Sequence, residues 1–294
     1  MNKYFIVSDI HSFYTPLLDS LNAKGFDINN KNHKLIVCGD VFDRGEETIE
    51  VYKFLKSIPN NRLILIKGNH EQLYRDLLKK KYPEDHDFSN GTVLTFIQIS
   101  GYDKNIILDL KYGKDLRFDK DFNLIEIIDK KCLEIWKDIK QQVRESEITK
   151  WLKSKKWKNY YELDKYIFVH SFIPLTFKGS EAFSELNCIY YGKTKYFEEN
   201  TNWRNATNLE WQKASWGCPY IFFEAGLFNQ EKEKNKVLIC GHYRCSEFNQ
   251  YYQISDDMNN HNIYYGSNLI AIDGTTALSK MVNVLVIENN KIIL

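Results

Sequence analysis

The chain has 294 residues, 43% of them hydrophobic and 27% charged, the composition of an ordinary globular protein rather than a disordered or fibrous one. Forty basic side chains against thirty-nine acidic ones leave a formal net charge of +1, which excludes a global field as the basis for binding nucleic acid, membranes or acidic partners. This length permits one large α/β domain or two smaller ones, with most apolar surface buried in either case.

From the N-terminus, Met1 to His11 runs straight into a strand-like segment without the apolar stretch and small-residue cleavage site of a signal peptide. No apolar run approaches the ~20 residues of a membrane span, so a cytoplasmic location is expected. Short apolar runs rich in β-branched residues recur, the form of buried strands in an α/β sheet. They are Lys3 to Ser8, Lys34 to Cys38, Leu63 to Lys67, Tyr166 to Val169, Val237 to Cys240, Leu269 to Ile272 and Val284 to Glu288. Helical patterns fall between the early ones, over Thr15 to Lys24 and over Glu46 to Ser57, where Ile49, Tyr52, Phe54 and Leu55 recur at helical spacing. This alternation favours parallel pairing with helices covering the faces. Residues 83–164 change to charged helical stretches, including Phe122 to Arg144 and Glu147 to Trp157, and read as a helical cap inserted into a single domain over residues 1–294. The stretch from Phe177 to Lys234, dense in Asn, Trp and Tyr, reads as a surface excursion with little regular structure. Six cysteines without paired spacing read as buried thiols in a reducing compartment.

Chemistry gathers where the strands end. The first ends in Asp9-Ile10-His11, whose outer side chains can face one side of an extended backbone; alone, such a triplet is a weak signal. The second ends in Gly39-Asp40-Val41-Phe42-Asp43-Arg44-Gly45, two carboxylates and a guanidinium among glycines that permit tight turns. The third ends in Gly68-Asn69-His70-Glu71, and two later strands end in Val169-His170 and Gly241-His242. Four of the seven histidines fall in these motifs, at strand ends where open α/β sheets gather ligands. His33, His86 and His261 read as solvated or locally satisfied.

These segments match GDxxDRG, GNHE and two later metal histidines in the same order, so the chain resembles the phosphoprotein phosphatase branch of the calcineurin-like metallophosphoesterases, and its bacterial serine/threonine phosphatases in particular. The resemblance implies an α/β fold, a β-sandwich flanked by helices, with the helical cap as an addition. It implies two divalent metal ions, Mn first with Fe or Zn as alternatives, and a bridging hydroxide as nucleophile. Asp9, His11 and Asp40 would hold one ion, and Asp40, Asn69, His170 and His242 the other. His70, oriented by Asp43, would protonate the leaving oxygen, and Arg44 and Asn69 would contact the phosphoryl group.

Departures are local. Lys67 stands where many members carry Arg, and Ser171-Phe172 replaces a small residue and Gly. The last motif reads Gly241-His242-Tyr243-Arg244 instead of the Gly-His-x-His of many diesterases, which favours monoesters. Arg244 and Arg204, the latter in a Trp-Arg-Asn segment, are further candidate phosphate contacts. Tyr190, Tyr191, Trp211 and Trp216 could stack on bases, but core or cap packing suits them better and no basic stripe accompanies them. The expected substrate is a phosphorylated protein or a small phosphoester. Hydrolysis of dinucleoside polyphosphates, nucleotides or RNA phosphate is the alternative, and a metal-binding scaffold without activity is the rival from outside the enzymes.

Overall fold

The computed structural model describes residues 2–120, 123–155, 157–180 and 184–294. The first third runs β1 (Lys3–Val7), α1 (Tyr14–Ala23), β2 (His33–Cys38), α2 (Thr48–Ser57) and β3 (Leu63–Ile66). A mainly helical stretch follows, with α3 (Asn69–Leu77), α4 (Asp85–Ser89), α5 (Thr92–Ser100), α6 (Ile106–Tyr112), a hairpin β4 (Lys114–Phe118) and β5 (Leu124–Ile128), α7 (Lys130–Glu145) and α8 (Glu147–Ser154). Then come β6 (Tyr161–Leu163), β7 (Tyr166–Phe168), β8 (Thr176–Phe177), α9 (Glu185–Tyr190), β9 (Phe197–Glu198), α10 (Asn208–Ala214) and α11 (Pro219–Glu224). The chain closes with β10 (Val237–Arg244), α12 (Cys245–Tyr251), β11 (Tyr264–Tyr265), β12 (Leu269–Asp273), α13 (Thr276–Ser279), β13 (Leu285–Glu288) and β14 (Lys291–Ile293).

Two five-stranded sheets carry the fold, in the orders β14-β13-β1-β2-β3 and β11-β12-β10-β7-β6. Within them β1, β2 and β3 pair in parallel, as do β7, β10 and β12. All seven predicted strands are present and both faces of each sheet are covered. In β1, Tyr4 and Ile6 join Ile36, Phe168, Ile239 and Ile270 in the core between the sheets, while Phe5 and Val7 pack against Leu17, Leu21, Val51 and Leu55 of the outer helices. The period-2 alternation thus resolves into two apolar faces, which is why these strands read as continuous apolar runs.

Three expectations are corrected. The helix expected over Phe122 to Arg144 begins at Lys130, where the Asp129 side chain accepts from the Cys132 amide as N-cap; Leu124–Ile128, rich in β-branched residues, pairs with β4 instead, and Phe122 itself lies outside the described residues. Among its described residues the stretch from Phe177 to Lys234 contains three short α-helices, two 3₁₀ turns and a strand that pairs with Thr176–Phe177; its aromatics, Trp203, Trp211 and Phe222 among them, cover the outer face of the second sheet, and burying that surface orders the backbone. Within 83–164, β6 pairs with β7 and belongs to the second sheet. The helices of that stretch have their own core around Phe96, Trp136 and Ile139, and α8 also sends Ile148 and Trp151 into the core beneath the first sheet.

Candidate active site

The segments at the carboxyl ends of β1, β2, β3 and β7, and the last residues of β10, converge on one buried cluster. Asp9, His11, Asp40, Asn69, His70 and His170 are all nearly inaccessible. Backbone geometry there is unusual, because Asp9, His11, Asp40, Asp43, Arg44 and His242 all have φ between 50° and 79°. Left-handed backbone at non-glycine residues costs energy and persists only where the surroundings enforce it. Close approach does so here: a Cβ on Gly68 would lie 2.1 Å from Asp40 Oδ1, and one on Gly241 2.3 Å from Asp9 Oδ2.

Asp40 Oδ2 is the centre. Nε2 of His170 lies 3.5 Å from it, that of His11 3.8 Å and that of His70 3.9 Å, spacings too long for hydrogen bonds. The other oxygen, Oδ1, accepts from the His70 amide at 3.0 Å. Asp9 Oδ1 is 3.8 Å from His11 Nε2, and Asp9 Oδ2 accepts from the His242 amide at 2.9 Å. Nδ1 of His11 faces the Phe42 carbonyl at 3.1 Å and that of His170 faces the Cys38 carbonyl at 2.8 Å, which puts each proton on Nδ1 and turns the Nε2 lone pair inward. Asn69 Oδ1 sits 2.8 Å from His170 Nε2.

Electrostatics agree with a cation site. Burial raises the pKa of Asp9, helped by the adjacent Asp40 charge. Burial opposes ionisation of Asp40 too, but the histidines around it, His170 first, hold its carboxyl below the ordinary range. Burial pushes His11 down, aided by Arg44, and takes His242 to about 3, aided by His170, so both imidazoles are neutral. Two groups of donor atoms, His11-Asp40-His70 and Asp40-His170-His242, each fall within 4.8 Å of one another and share Asp40. Buried carboxylates among neutral imidazoles and an amide oxygen form a donor set that fits first-row divalent metals.

His70 differs from its neighbours. Its Nδ1 donates to Asp43 Oδ2 at 2.8 Å. Burial lowers its pKa, yet Asp40 and Asp43 outweigh burial and raise it overall. Exposed Arg44 brings Nη2 to 3.3 Å from His70 Nε2.

Several residues that hold this arrangement were not legible in the sequence. Thr92 donates to Asp43 Oδ2 and Thr95 to Asp43 Oδ1, both at 2.8 Å, and the Asp43 amide donates to Thr95 Oγ1 at 3.0 Å. One turn on, Gln98 accepts from the Thr48 amide and donates to the Gly45 carbonyl. The spacing 92, 95, 98 is one face of α5, visible in principle but with no reason to be noticed before its partner loop was known. Glu71 accepts from the amides of Asp40, Val41 and Gly68, tying the second strand end to the third. Buried Asp273, at the end of β12, has a raised pKa from burial and from Asp9.

The two further candidate phosphate contacts have partners of their own. The Arg204 guanidinium is spent on Glu162 and Glu233, at 2.6 to 3.0 Å, and stacks on Trp203 at 4.1 Å. The Trp-Arg-Asn segment is thus held by a salt bridge. Arg244 is exposed and lies 3.7 Å from Glu247 on the same helical turn. Among the other histidines, His33 accepts from the Asp27 amide. A third group of donors, Glu84, His86 and Asp87, is already filled by the Lys80 ammonium. His261 departs from expectation, since its Nδ1 is buried with no partner among the described residues. Trp211 is core, stacked on Tyr160.

A family model described as calcineurin-like phosphoesterase matches residues 3–271. The chain belongs to that family. Calcineurin-like phosphoesterases are hydrolases acting on phosphate esters, and the convergent strand ends described above are where this member carries its candidate metal-binding residues. Among curated relatives, the symmetrical bis(5′-nucleosyl)-tetraphosphatase of Marinomonas sp. (strain MWYL1) is 27% identical over 122 residues, 41% of this chain and 42% of that one. The asymmetrical bis(5′-nucleosyl)-tetraphosphatase PrpE of Bacillus velezensis is 30% identical over 82 residues, 25% of this chain and 33% of the relative. The match thus spans under half the length of these relatives. The cold-active protein-tyrosine phosphatase of a psychrophilic Shewanella sp. has the same fold, with a TM-score of 0.52 at 18% identity, over 99% of this chain and 77% of that one. No helix among the described residues is long and apolar enough to cross a membrane, and all six cysteines are free thiols.

Proposed function

We propose that this calcineurin-like phosphoesterase hydrolyses phosphate monoesters, with phosphorylated serine or threonine in proteins as the leading substrate class and a reducing cytoplasm as its setting. The observation that carries this reading is the His70–Asp43 pair set 3.9 Å from the carboxylate around which the metal-ligand candidates cluster. Asp9, His11 and Asp40 would hold one divalent ion and Asp40, Asn69, His170 and His242 a second, Mn being the first candidate. When bound, such ions supply positive charge at both ends of the phosphoryl displacement and an acidified water.

The chain's own residues do the rest. Asp43, fixed by Thr92 and Thr95, keeps the His70 proton on Nδ1 and favours the imidazolium. Protonated His70 can then give the Nε2 proton to the leaving oxygen, a contribution typically worth roughly 10²–10⁴-fold in rate. Arg44, whose Nη2 approaches the same nitrogen, would place its fork on the phosphoryl oxygens.

Turnover of p-nitrophenyl phosphate by metal-stripped chain, with and without added Mn²⁺, tests the reading beside Asp40→Asn and His70→Asn. Activity should require the metal. On phenyl phosphate, whose leaving group needs a proton, His70→Asn should lose roughly 10²-fold or more while keeping its metal, and Asp40→Asn should lose bound metal by elemental analysis. Metal-independent turnover, or full activity of His70→Asn on phenyl phosphate, would overturn the mechanism. A second reading, hydrolysis of dinucleoside polyphosphates, is favoured by the names of the curated relatives; comparing rates on a phosphopeptide and on diadenosine tetraphosphate separates the two.

A further inference from the structure

Beside the ligand cluster lies a cleft that the mechanism above leaves unused. Its volume is about 480 Å³, and Lys67, Arg75, Lys153, Lys155 and Trp157 line it together with Glu71. Lys67 and Arg75 also border the depression that contains Gly68 and His170, so the cleft adjoins the site of the proposed chemistry.

Its charge is lopsided. Glu71 is the acidic residue of the lining and is occupied by three backbone amides. The cations have neutral partners: Lys67 donates to the amide oxygens of Asn159 and Asn208 at 3.0 and 3.2 Å, Arg75 to that of Gln72, and Lys155 to that of Asn60. Among the described residues none of the four cations has a carboxylate within ion-pair distance, whereas Lys80 and Lys236 each lie on one. Burial pushes the Lys155 ammonium below its ordinary value, as expected of a cation that nothing neutralises. Amide oxygens orient a cation without cancelling its charge, so the cleft is prepared for a ligand with several negative charges. Trp157 adds a partly exposed indole, fixed by its N–H to the Leu152 carbonyl at 3.2 Å and packed edge-on to Trp151. A fixed aromatic ring beside cations suits a planar base attached to phosphates.

We propose that this cleft is an accessory subsite binding the phosphates beyond the scissile one, together with the base, of a nucleoside polyphosphate. The assignment rests on the phosphoesterase reading for what happens next door, but not for the binding itself.

Calorimetric binding of adenosine 5′-(β,γ-methylene)triphosphate to the metal-loaded full chain tests it, with thermal melting as the control for folding. Lys153→Ala with Lys155→Ala should raise the dissociation constant about tenfold or more, since each ammonium acts on the phosphates as a point charge. Inorganic tripolyphosphate should bind the wild type about tenfold more weakly than the nucleotide, and Trp157→Leu should remove that difference. A dissociation constant unchanged in a folded lysine variant overturns the subsite. Tripolyphosphate binding as tightly as the nucleotide overturns the base-stacking part, and tighter binding of a doubly phosphorylated peptide overturns the nucleotide assignment. Because the readout is binding, failure of the wild type to hydrolyse p-nitrophenyl phosphate would sink the phosphoesterase reading and leave this one standing.

Discussion

Asp43 accepts three side-chain hydrogen bonds, from His70, Thr92 and Thr95, and they serve two requirements. The His70 bond fixes a tautomer; the threonine bonds fix the carboxylate. Thr92→Val with Thr95→Val should therefore lower turnover of phenyl phosphate, whose leaving group needs a proton, by roughly 10–100-fold, the usual cost of losing an outer-shell partner. Hydrolysis of p-nitrophenyl phosphate, with its better leaving group, should fall much less, and serine at both positions should restore the difference. Equal losses on both substrates would show a merely structural role. Arg204 makes the opposite case. Its guanidinium is committed to Glu162 and Glu233, so Arg204→Ala should cost stability, about 1–2 kcal/mol after allowing for partial exposure, and leave the KM for p-nitrophenyl phosphate within about twofold of the wild type. A large rise in KM with unchanged melting would reinstate it as a phosphate contact.

Among elements, α5 decides most. It packs against α3 and α7 through Phe96 and Ile97, while its 92, 95, 98 face clamps the loop after β2. The helical stretch consequently shares residues with the site and cannot be excised without releasing Asp43. The hairpin of β4 and β5 is different: Leu116, Phe118 and Leu124 are more than half exposed, and the Asp129 amide already donates to the Gly113 carbonyl at 2.7 Å. Replacing residues 114–127 by a short Gly-Ser turn should leave the melting temperature within about 3 °C, because among the described residues almost no apolar burial is lost. Loss of folding on that deletion would mean the strand pair contributes to the core. Acid stability belongs at this scale as well. Burial raises the carboxyls of Glu162 and Glu233, but the Arg204 fork, joined by Lys236 at Glu162 and the Trp203 N–H at Glu233, holds both below their ordinary value. A depressed carboxyl binds fewer protons folded than unfolded, so its stabilisation is present above the unfolded pKa of about 4.5 and fades as pH falls through the lowered value. Melting temperature should drop below pH about 4.5 in the wild type and drop less steeply in Arg204→Ala.

Across the whole molecule, two stacked sheets bring β1, β2 and β3 face to face with β7, β10 and β12, so that residues as distant as Asp9 and His242 touch. Adding a side chain at either Gly68 or Gly241 should abolish metal binding although no candidate ligand is replaced, because a Cβ there would collide with Asp40 or Asp9; elemental analysis of Gly241→Ala checks this. How much of this was legible beforehand follows from range. Strands could be read locally because buried parallel strands are apolar on both faces, and the ligand candidates could be read because backbone-constrained motifs such as Gly39–Gly45 pack several chemical groups into a few adjacent residues. Hairpin and helix could not be separated over Leu124–Ile128, where an N-cap at Asp129 and pairing with Lys114–Phe118 outweigh the helical pattern. Nor could Arg204 be assigned, since its partners Glu162 and Glu233 lie 42 and 29 residues away in the chain. By itself the sequence determined the sheet strands and the segments that carry the candidate ligands, because those depend on neighbours within a few residues. Only the tertiary structure decided which side chains support those groups, which cations around the cleft of Lys67, Arg75, Lys153 and Lys155 have no carboxylate partner among the described residues, and that Arg204 is spent on Glu162 and Glu233, because each of those depends on contacts between segments that the chain order keeps far apart.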